Sequence, residues 1–352
     1  MSTLSDTGVE TLVIGRLGLI TLNRPKALNA LNHDMVRRLD AVLRMWADDD
    51  AVAAVLVRGA GERGLCAGGD IRAIHEDAKA KGGASAAFWR DEYRLNARVA
   101  RYGKPYVALM DGIVMGGGVG VSAHGGVRVV TERTMLAMPE TTIGFVPDVG
   151  GTYLLSRAPG ELGTHLALTA TSIGAGDAVA CGLADHFVPS ADLEELTAEL
   201  SRREVTEAVA SFAHAVPPGE LAGQREWIDA CYSAPTVEEI VQRLLDSGES
   251  AAKEAAERIG GKSPTALKVT LRALRRAREL GSLEEVLDQE YRVSCAALAC
   301  PDLVEGIRAQ VIDKDRSPRW SPARLEEVTE DDVDRFLAPL GEHELGLSGG
   351  LR

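Results

Sequence analysis

The chain has 352 residues, 45% hydrophobic and 26% charged, an ordinary composition for a globular protein with one large domain or two medium ones. A formal net charge of -13 argues against a broad nucleic-acid or anionic-membrane surface, while leaving room for a local basic patch that takes phosphates. The opening "MSTLSDTGVETLVIG" has no basic region followed by an apolar run, nothing approaches a membrane-spanning apolar stretch, and the five cysteines lack CxxC spacing, so free thiols in the cytoplasm are expected.

In chain order, "TLVIGRLGLITLNR" (11–24) reads as two strands around a Gly turn. Residues 30–50 carry Leu31, Met35, Leu39, Val42 and Trp46 at helical spacing, and "AVAAVLVRG" (51–59) reads as a buried strand. A Gly-rich turn, a helix from Ile71 and another around 86–101 follow. "KPYVALMDGIVM" (104–115) is again a buried strand, "RVVTERTMLAM" (128–138) reads as a β-hairpin, and "GGTYLLSRAPGELGTHLALTA" as helix. This rhythm argues an α/β fold. From about 190 helical patterns dominate, with good starts at "SPTALKV" and "SLEEVLD".

Two Gly-rich turns stand out. "ERGLCAGGD" (62–70) and "MDGIVMGGGVGVSAHG" (110–125) each join a buried strand to a helix, so backbone N–H groups face outward at a positive helix end. Such donors suit a phosphate or a developing oxyanion, and two of them converging on one oxygen make an oxyanion hole of the kind a thioester needs. Gly118 to Ala123 formally fits a dinucleotide-binding pattern, but this strand lies far from the N-terminus. Gly346-Leu347-Ser348-Gly349-Gly350 formally fits a nucleophile elbow without the strand such an elbow requires. The seven histidines show no metal-ligand spacing, so no metal and no separate cofactor are expected.

"MPETTIGFVPDVGG" (138–151) holds two acids, Glu140 and Asp148, in uncharged surroundings. Glu140 ends an apolar strand pattern, an awkward place for a charge unless it lines a cavity. Asp148 precedes a helical pattern and on composition alone reads as its N-cap before it reads as a functional acid.

The stretches "LNRPKALNAL", "CAGGDI", "MGGGVG", "MPETTIGFVPDVGGTYLL" and "DLVEGIRAQVIDKDRSPRW", in order over nearly the whole chain, resemble the crotonase, or enoyl-CoA hydratase/isomerase, superfamily. Within it they are most similar to the branch that hydrolyses 3-hydroxyisobutyryl-CoA in valine catabolism. The resemblance implies a spiral of repeated ββα units over 1–195 with the CoA pocket and active site. A helical region over 196–340 is expected to pack on it, followed by a flexible tail over 341–352. It places the oxyanion donors at the N–H groups of Gly69 and Gly117, CoA phosphates near Lys26 and Ala27, and the adenine near Ala67, Asp70 and Ile71. Substrate would touch Glu92, Gly117, Glu140 and Asp148, with CoA part of the substrate rather than a cofactor.

The informative departure is at Gly120, where hydratases carry the first of two glutamates; Glu140 keeps the second. Asp148 matches the acid of the hydrolase branch, and Glu92 in "DEYRLN" the group placed near the substrate hydroxyl. Hydrolysis is therefore expected, with Glu140 as nucleophile through a mixed anhydride or as general base, and Asp148 orienting hydroxyl or water. The alternatives are an enoyl-CoA hydratase/isomerase using Glu140 alone and, more remotely, a non-catalytic acyl-CoA-binding protein. Relatives are commonly trimers or hexamers, which leaves the assembly of this chain open.

Overall fold

Gly15, at φ 57°, turns the chain between two antiparallel strands, β1 (Val9–Ile14) and β2 (Leu17–Leu22). The computed structural model describes residues 8–349. After α1 (His33–Ala47), capped by the Asn32 side chain on Met35 N–H, come β3 (Ala54–Gly59), β4 (Gly64–Cys66), α2 (Ile71–Ala80) and α3 (Ala84–Ala100). Next are β5 (Tyr106–Met110), β6 (Ile113–Met115), α4 (Gly117–Gly120), β7 (Val127–Val130) and β8 (Met135–Ala137). Then follow α5 (Gly151–Ser156), α6 (Leu162–Thr169), α7 (Ala175–Ala180), β9 (His186–Phe187), α8 (Leu193–Leu200) and α9 (Val205–Phe212). The remaining helices are α10 (Arg225–Tyr232), α11 (Val237–Asp246), α12 (Ser250–Gly260), α13 (Pro264–Glu279), α14 (Leu283–Ala297), α15 (Pro301–Ile307) and α16 (Glu330–Phe336).

These elements form two compact units that interleave in sequence. The first takes residues up to Gly69, Arg94–Leu136 and Ile173–Gly219; the second takes Asp70–Tyr93, Ala137–Ser172 and Glu220 onward. The expected division at 195/196 falls inside α8, which belongs to the first unit.

In the first unit a six-stranded sheet runs β1-β2-β3-β5-β7-β9, parallel from β2 onward. Buried on both faces, its central strands are continuous apolar runs, as parallel strands require. Leu19, Leu56, Val107 and Val129 pack with Leu196 and Val209 of α8 and α9 in one core. A second, three-stranded sheet has the order β4-β6-β8.

The expected hairpin over 128–138 does not form, because β7 and β8 belong to different sheets. The Thr134 hydroxyl decides it. It accepts from Thr131 N–H at 2.8 Å and donates to the Met110 carbonyl at 2.6 Å, pinning the turn to the end of β5.

The second unit is helical. Ser263 and Ser282 cap α13 and α14 as the sequence predicts, Ser282 in a full capping box with Glu285. Val146, Val269, Val293, Val333 and Leu337 form its core cluster. The tail expected from 341 is anchored as far as it is described. Leu345 and Leu347 are buried, and Asp288 of α14 accepts from Leu347 N–H (2.8 Å), Ser348 N–H (3.0 Å) and the Ser348 hydroxyl (2.6 Å). Those bonds also occupy the serine of the accidental elbow pattern; Gly350 and the last two residues lie outside the described part. Among the described residues no helix is long and apolar enough to cross a membrane.

Candidate active site

The two glycine turns leave adjacent parallel strands of the first unit. β4 pairs with β6 through Gly64–Ile113 and Cys66–Val114, so the turns at 67–69 and 116–117 emerge from the same ends of neighbouring strands. Their closeness depends on missing side chains. Gly68 holds φ 114° and Gly116 φ 48°, conformations that L side chains rarely adopt. A Cβ on Gly118 would stand 2.4 Å from the Cys66 carbonyl oxygen, so only glycine fits there. Among the described residues neither the Gly69 nor the Gly117 N–H meets an acceptor. Both are therefore donors without an internal acceptor at strand ends, a kind of group able to bind an oxyanion.

Lys26 and Ala27 lie exposed on a 3-10 turn, Pro25–Ala27. That turn is tied to the Ala67 loop by the bond from Ala67 N–H to the Leu28 carbonyl at 3.0 Å. Asn29, at φ 57°, braces the same corner with bonds to the carbonyls of Ala60 and Gly64, each 3.0 Å. Asp70 occupies the N-cap position of α2 without a side-chain capping bond, and Ile71 begins that helix in the second unit.

The second unit gathers the acids. Glu92, Glu140 and Asp148 are all buried. Glu92 shares one face of α3 with Trp89 and Tyr93; Trp89 stacks on Phe145 with ring centroids 5.3 Å apart. Glu140 opens a 3-10 turn, Glu140–Ile143, that ends at Gly144 with φ 71°. The turn rests against α15 at two glycines. A Cβ on Gly144 would meet the Asp302 carbonyl oxygen at 2.4 Å, and one on Gly306 the Ile143 carbonyl carbon at 2.3 Å. Asp302 is itself buried, tied to the Ser263 hydroxyl at 2.5 Å and to Ser321 N–H at 2.8 Å. The "DLVEGI" stretch thus seats the Glu140 turn.

Asp148 is not a helix cap. Gly150 holds the N-cap position of α5, and the Asp148 side chain instead accepts from the Tyr93 hydroxyl at 2.7 Å. The capping reading missed this because Val149 and Gly150 both take left-handed φ, 52° and 79°, which swings the helix start past the acid.

Burial dominates the electrostatics. It pushes the Asp148 carboxyl up to about 7 against the pull of the Tyr93 donor. Glu140 is raised well above the usual carboxylate range, first by burial and then by the Asp148 charge, and Glu92 is raised for the same two reasons. Among the described residues Glu92 Oε1 and Glu140 Oε2 have no hydrogen-bond partner. Buried carboxylates this close cannot all be ionised, so the cluster stores protons near neutral pH and offers bare acceptors to a bound group.

Four further residues complete the cluster: Tyr93, Thr152, Glu290 and Ser294. The readable signal was in α14, where Glu290 and Ser294 interrupt an otherwise apolar helical stripe. Among the described residues no group of three or more His, Cys, Asp or Glu is arranged to hold a metal ion.

Comparison with known proteins bears on this arrangement. The family model described as enoyl-CoA hydratase/isomerase matches residues 17–337. A zebrafish (Danio rerio) protein named 3-hydroxyisobutyryl-CoA hydrolase, mitochondrial, is 46% identical over 97% of this chain and 93% of its own length. The human (Homo sapiens) protein of the same name is 44% identical over 98% and 92%. Among solved structures, a carnitinyl-CoA dehydratase from Mycobacterium thermoresistibile superposes with a TM-score of 0.94 at 55% identity, covering 97% of this chain and 99% of that one. An enoyl-CoA hydratase from Rhodobacter sphaeroides 2.4.1 gives a TM-score of 0.91 at 44% identity, covering 96% and 99%.

Proposed function

The chain belongs to the enoyl-CoA hydratase/isomerase family, and we propose that it is an acyl-CoA thioesterase converting 3-hydroxyisobutyryl-CoA and water to 3-hydroxyisobutyrate and CoA. One observation carries this reading: the acid is absent at Gly120, inside α4, while Asp148, hydrogen-bonded by Tyr93, is buried near Glu140. Adding water across a double bond in this family calls on a carboxylate at the first position. Cleaving a thioester calls on a donor-lined oxygen site and an acid that attacks the carbonyl carbon, directly or through water.

In the proposed reaction the Gly69 and Gly117 N–H groups take the thioester oxygen as its charge develops. Glu140 delivers the attack, and Asp148 orients the attacking group and trades a proton near its pKa of about 7. The carbon–sulfur bond breaks, CoA leaves as the thiol, and the oxygen gained by the acyl group comes from water. The bare Glu92 Oε1 accepts the substrate hydroxyl. Lys26, with Ala27, Ala67, Asp70 and Ile71, serves CoA, in line with the likeness to relatives whose names specify CoA thioesters.

The deciding experiment offers the protein 3-hydroxyisobutyryl-CoA and crotonyl-CoA and reads free thiol with a thiol reagent. Thiol release from the first is expected. Loss of the crotonyl double bond without thiol release would instead assign the chain to hydration, the activity named for one of its structural neighbours.

A further inference from the structure

Helix α14 carries Glu290 and Ser294 one turn apart, in a buried stripe with Leu283, Leu287 and Ala297. Polar groups in such a stripe are costly unless satisfied, so their partners are informative. Both serve Asp148. Glu290 accepts from Gly150 N–H at 2.6 Å, from Thr152 N–H at 2.9 Å and from the Thr152 hydroxyl at 2.5 Å. It therefore clamps the backbone two and four residues past Asp148. Val149, between Asp148 and the clamped Gly150, holds φ 52°, a conformation β-branched residues avoid, and a clamp of this kind keeps it there.

Ser294 acts on the side chain. The Tyr93 phenol has one proton and gives it to Asp148 Oδ2 at 2.7 Å; its 2.6 Å contact with Ser294 Oγ is then donated by the serine. The chain runs Ser294 to Tyr93 to Asp148, all three buried. A donor that is itself receiving a hydrogen bond gives a stronger one.

We infer that Tyr93, Ser294 and Glu290 are positioning residues for Asp148: Glu290 fixes the backbone that follows it, while Tyr93, backed by Ser294, fixes its side chain and favours its ionised form. The inference rests on the catalytic part given to Asp148 above. The groups facing that carboxyl are Glu92 and Tyr93 from α3, Glu140 from its 3-10 turn, and Glu290 from α14. Burial disfavours a charge on Asp148, and Tyr93 is the side chain that favours it.

Tyr93→Phe keeps the ring and removes the donor. The acid limb of its kcat–pH profile should move up by roughly one to two pH units, the worth of a hydrogen bond to a charged acceptor. Ser294→Ala should move it the same way by less. Glu290→Gln, which keeps the shape, should lose kcat with KM little changed and retain more activity than Glu290→Ala. A role in packing alone would lower Tm and kcat together and leave the acid limb in place. That result in folded Tyr93→Phe overturns the inference, and Ser294→Ala decides it if Tyr93→Phe does not fold. Titration of ¹³C-carboxyl aspartate in the substrate-free protein, with the Asp148 signal assigned by Asp148→Asn, separates this inference from the hydrolase reading. An Asp148 titration unmoved by Tyr93→Phe and Ser294→Ala sinks the inference even where hydrolysis is intact. A shifted titration without hydrolysis supports it and sinks only the activity.

Discussion

Gly306 and Ile143 touch backbone to backbone: a Cβ at 306 would lie 2.3 Å from the Ile143 carbonyl carbon. Ile143 closes the 3-10 turn that Glu140 opens, so this contact sets where the acid stands. Gly306→Ala must push the turn away. Overpacking of this sort costs about 1–3 kcal/mol, and a displacement near 1 Å costs roughly 100-fold in rate. Calorimetry and kcat measure the two effects; wild-type values for both would show that α15 does not hold the turn.

Removing the acids should separate their parts. Glu140→Gln should abolish most thioester hydrolysis, by roughly 100-fold or more, with KM little changed. Asp148→Asn should also lower kcat, and by less. Turnover of 3-hydroxyisobutyryl-CoA by Glu140→Gln at the wild-type rate would end the catalytic assignment.

The N–H groups proposed as oxyanion donors can be moved without touching them. Gly118→Ala places a Cβ 2.4 Å from the Cys66 carbonyl oxygen, prising β4 from the start of α4. The loss of one aligned donor is worth roughly 100- to 1000-fold in kcat. Unchanged thiol release from a folded variant would rule out the Gly117 N–H as a donor.

Activity and stability should run in opposite directions with pH. The unfolded chain ionises Asp148 near its ordinary value of 3.8, whereas the folded protein keeps the proton up to about 7. Between those values the folded state binds more protons, so stability falls as pH rises through the window. Glu92, Glu140 and Glu290 add in the same sense, Glu290 up to about 8. Hydrolysis, which needs an ionised acid, should climb over the same range. Tm measured from pH 5 to 8 should decline, and Asp148→Asn should decline less; equal slopes would show that Asp148 does not titrate there.

Truncation after Gly341 should destabilise the second unit. It exposes the pocket of Leu345 and Leu347 and strips all three donors from buried Asp288. An unsatisfied buried carboxylate alone costs about 2 kcal/mol. Denaturant midpoints indistinguishable from the full chain would show that this segment is a passive end.

Much of this was legible in advance. The helical periods of α1 and α14, the apolar strands β3 and β5, and the two glycine turns carry local signals, and the structure places each there. Glu92, Glu140 and Asp148 fall in one buried cluster. What failed depended on distant partners. The 128–138 hairpin gave way because Thr134 bonds to Met110, and the Asp148 cap because left-handed Val149 and Gly150, held by Glu290, carry the helix start past the acid, which bonds Tyr93 instead. Glu290 and Ser294 were visible only as polar interruptions of α14, and nothing local says what they reach.

The interleaving of the two units sets an order of synthesis. The first unit is complete in sequence once Gly219 has been made, and Glu92, Glu140 and Asp148 have also emerged by then. The α14 residues that hold Asp148 are made some seventy residues later, Glu290 and then Ser294. Until α14 has been made, Asp148 and its neighbours lack the Glu290 and Ser294 contacts of the folded protein. A chain interrupted before α14 therefore carries Glu92, Glu140 and Asp148 without the clamp on Gly150 and Thr152 and without the serine that donates to Tyr93.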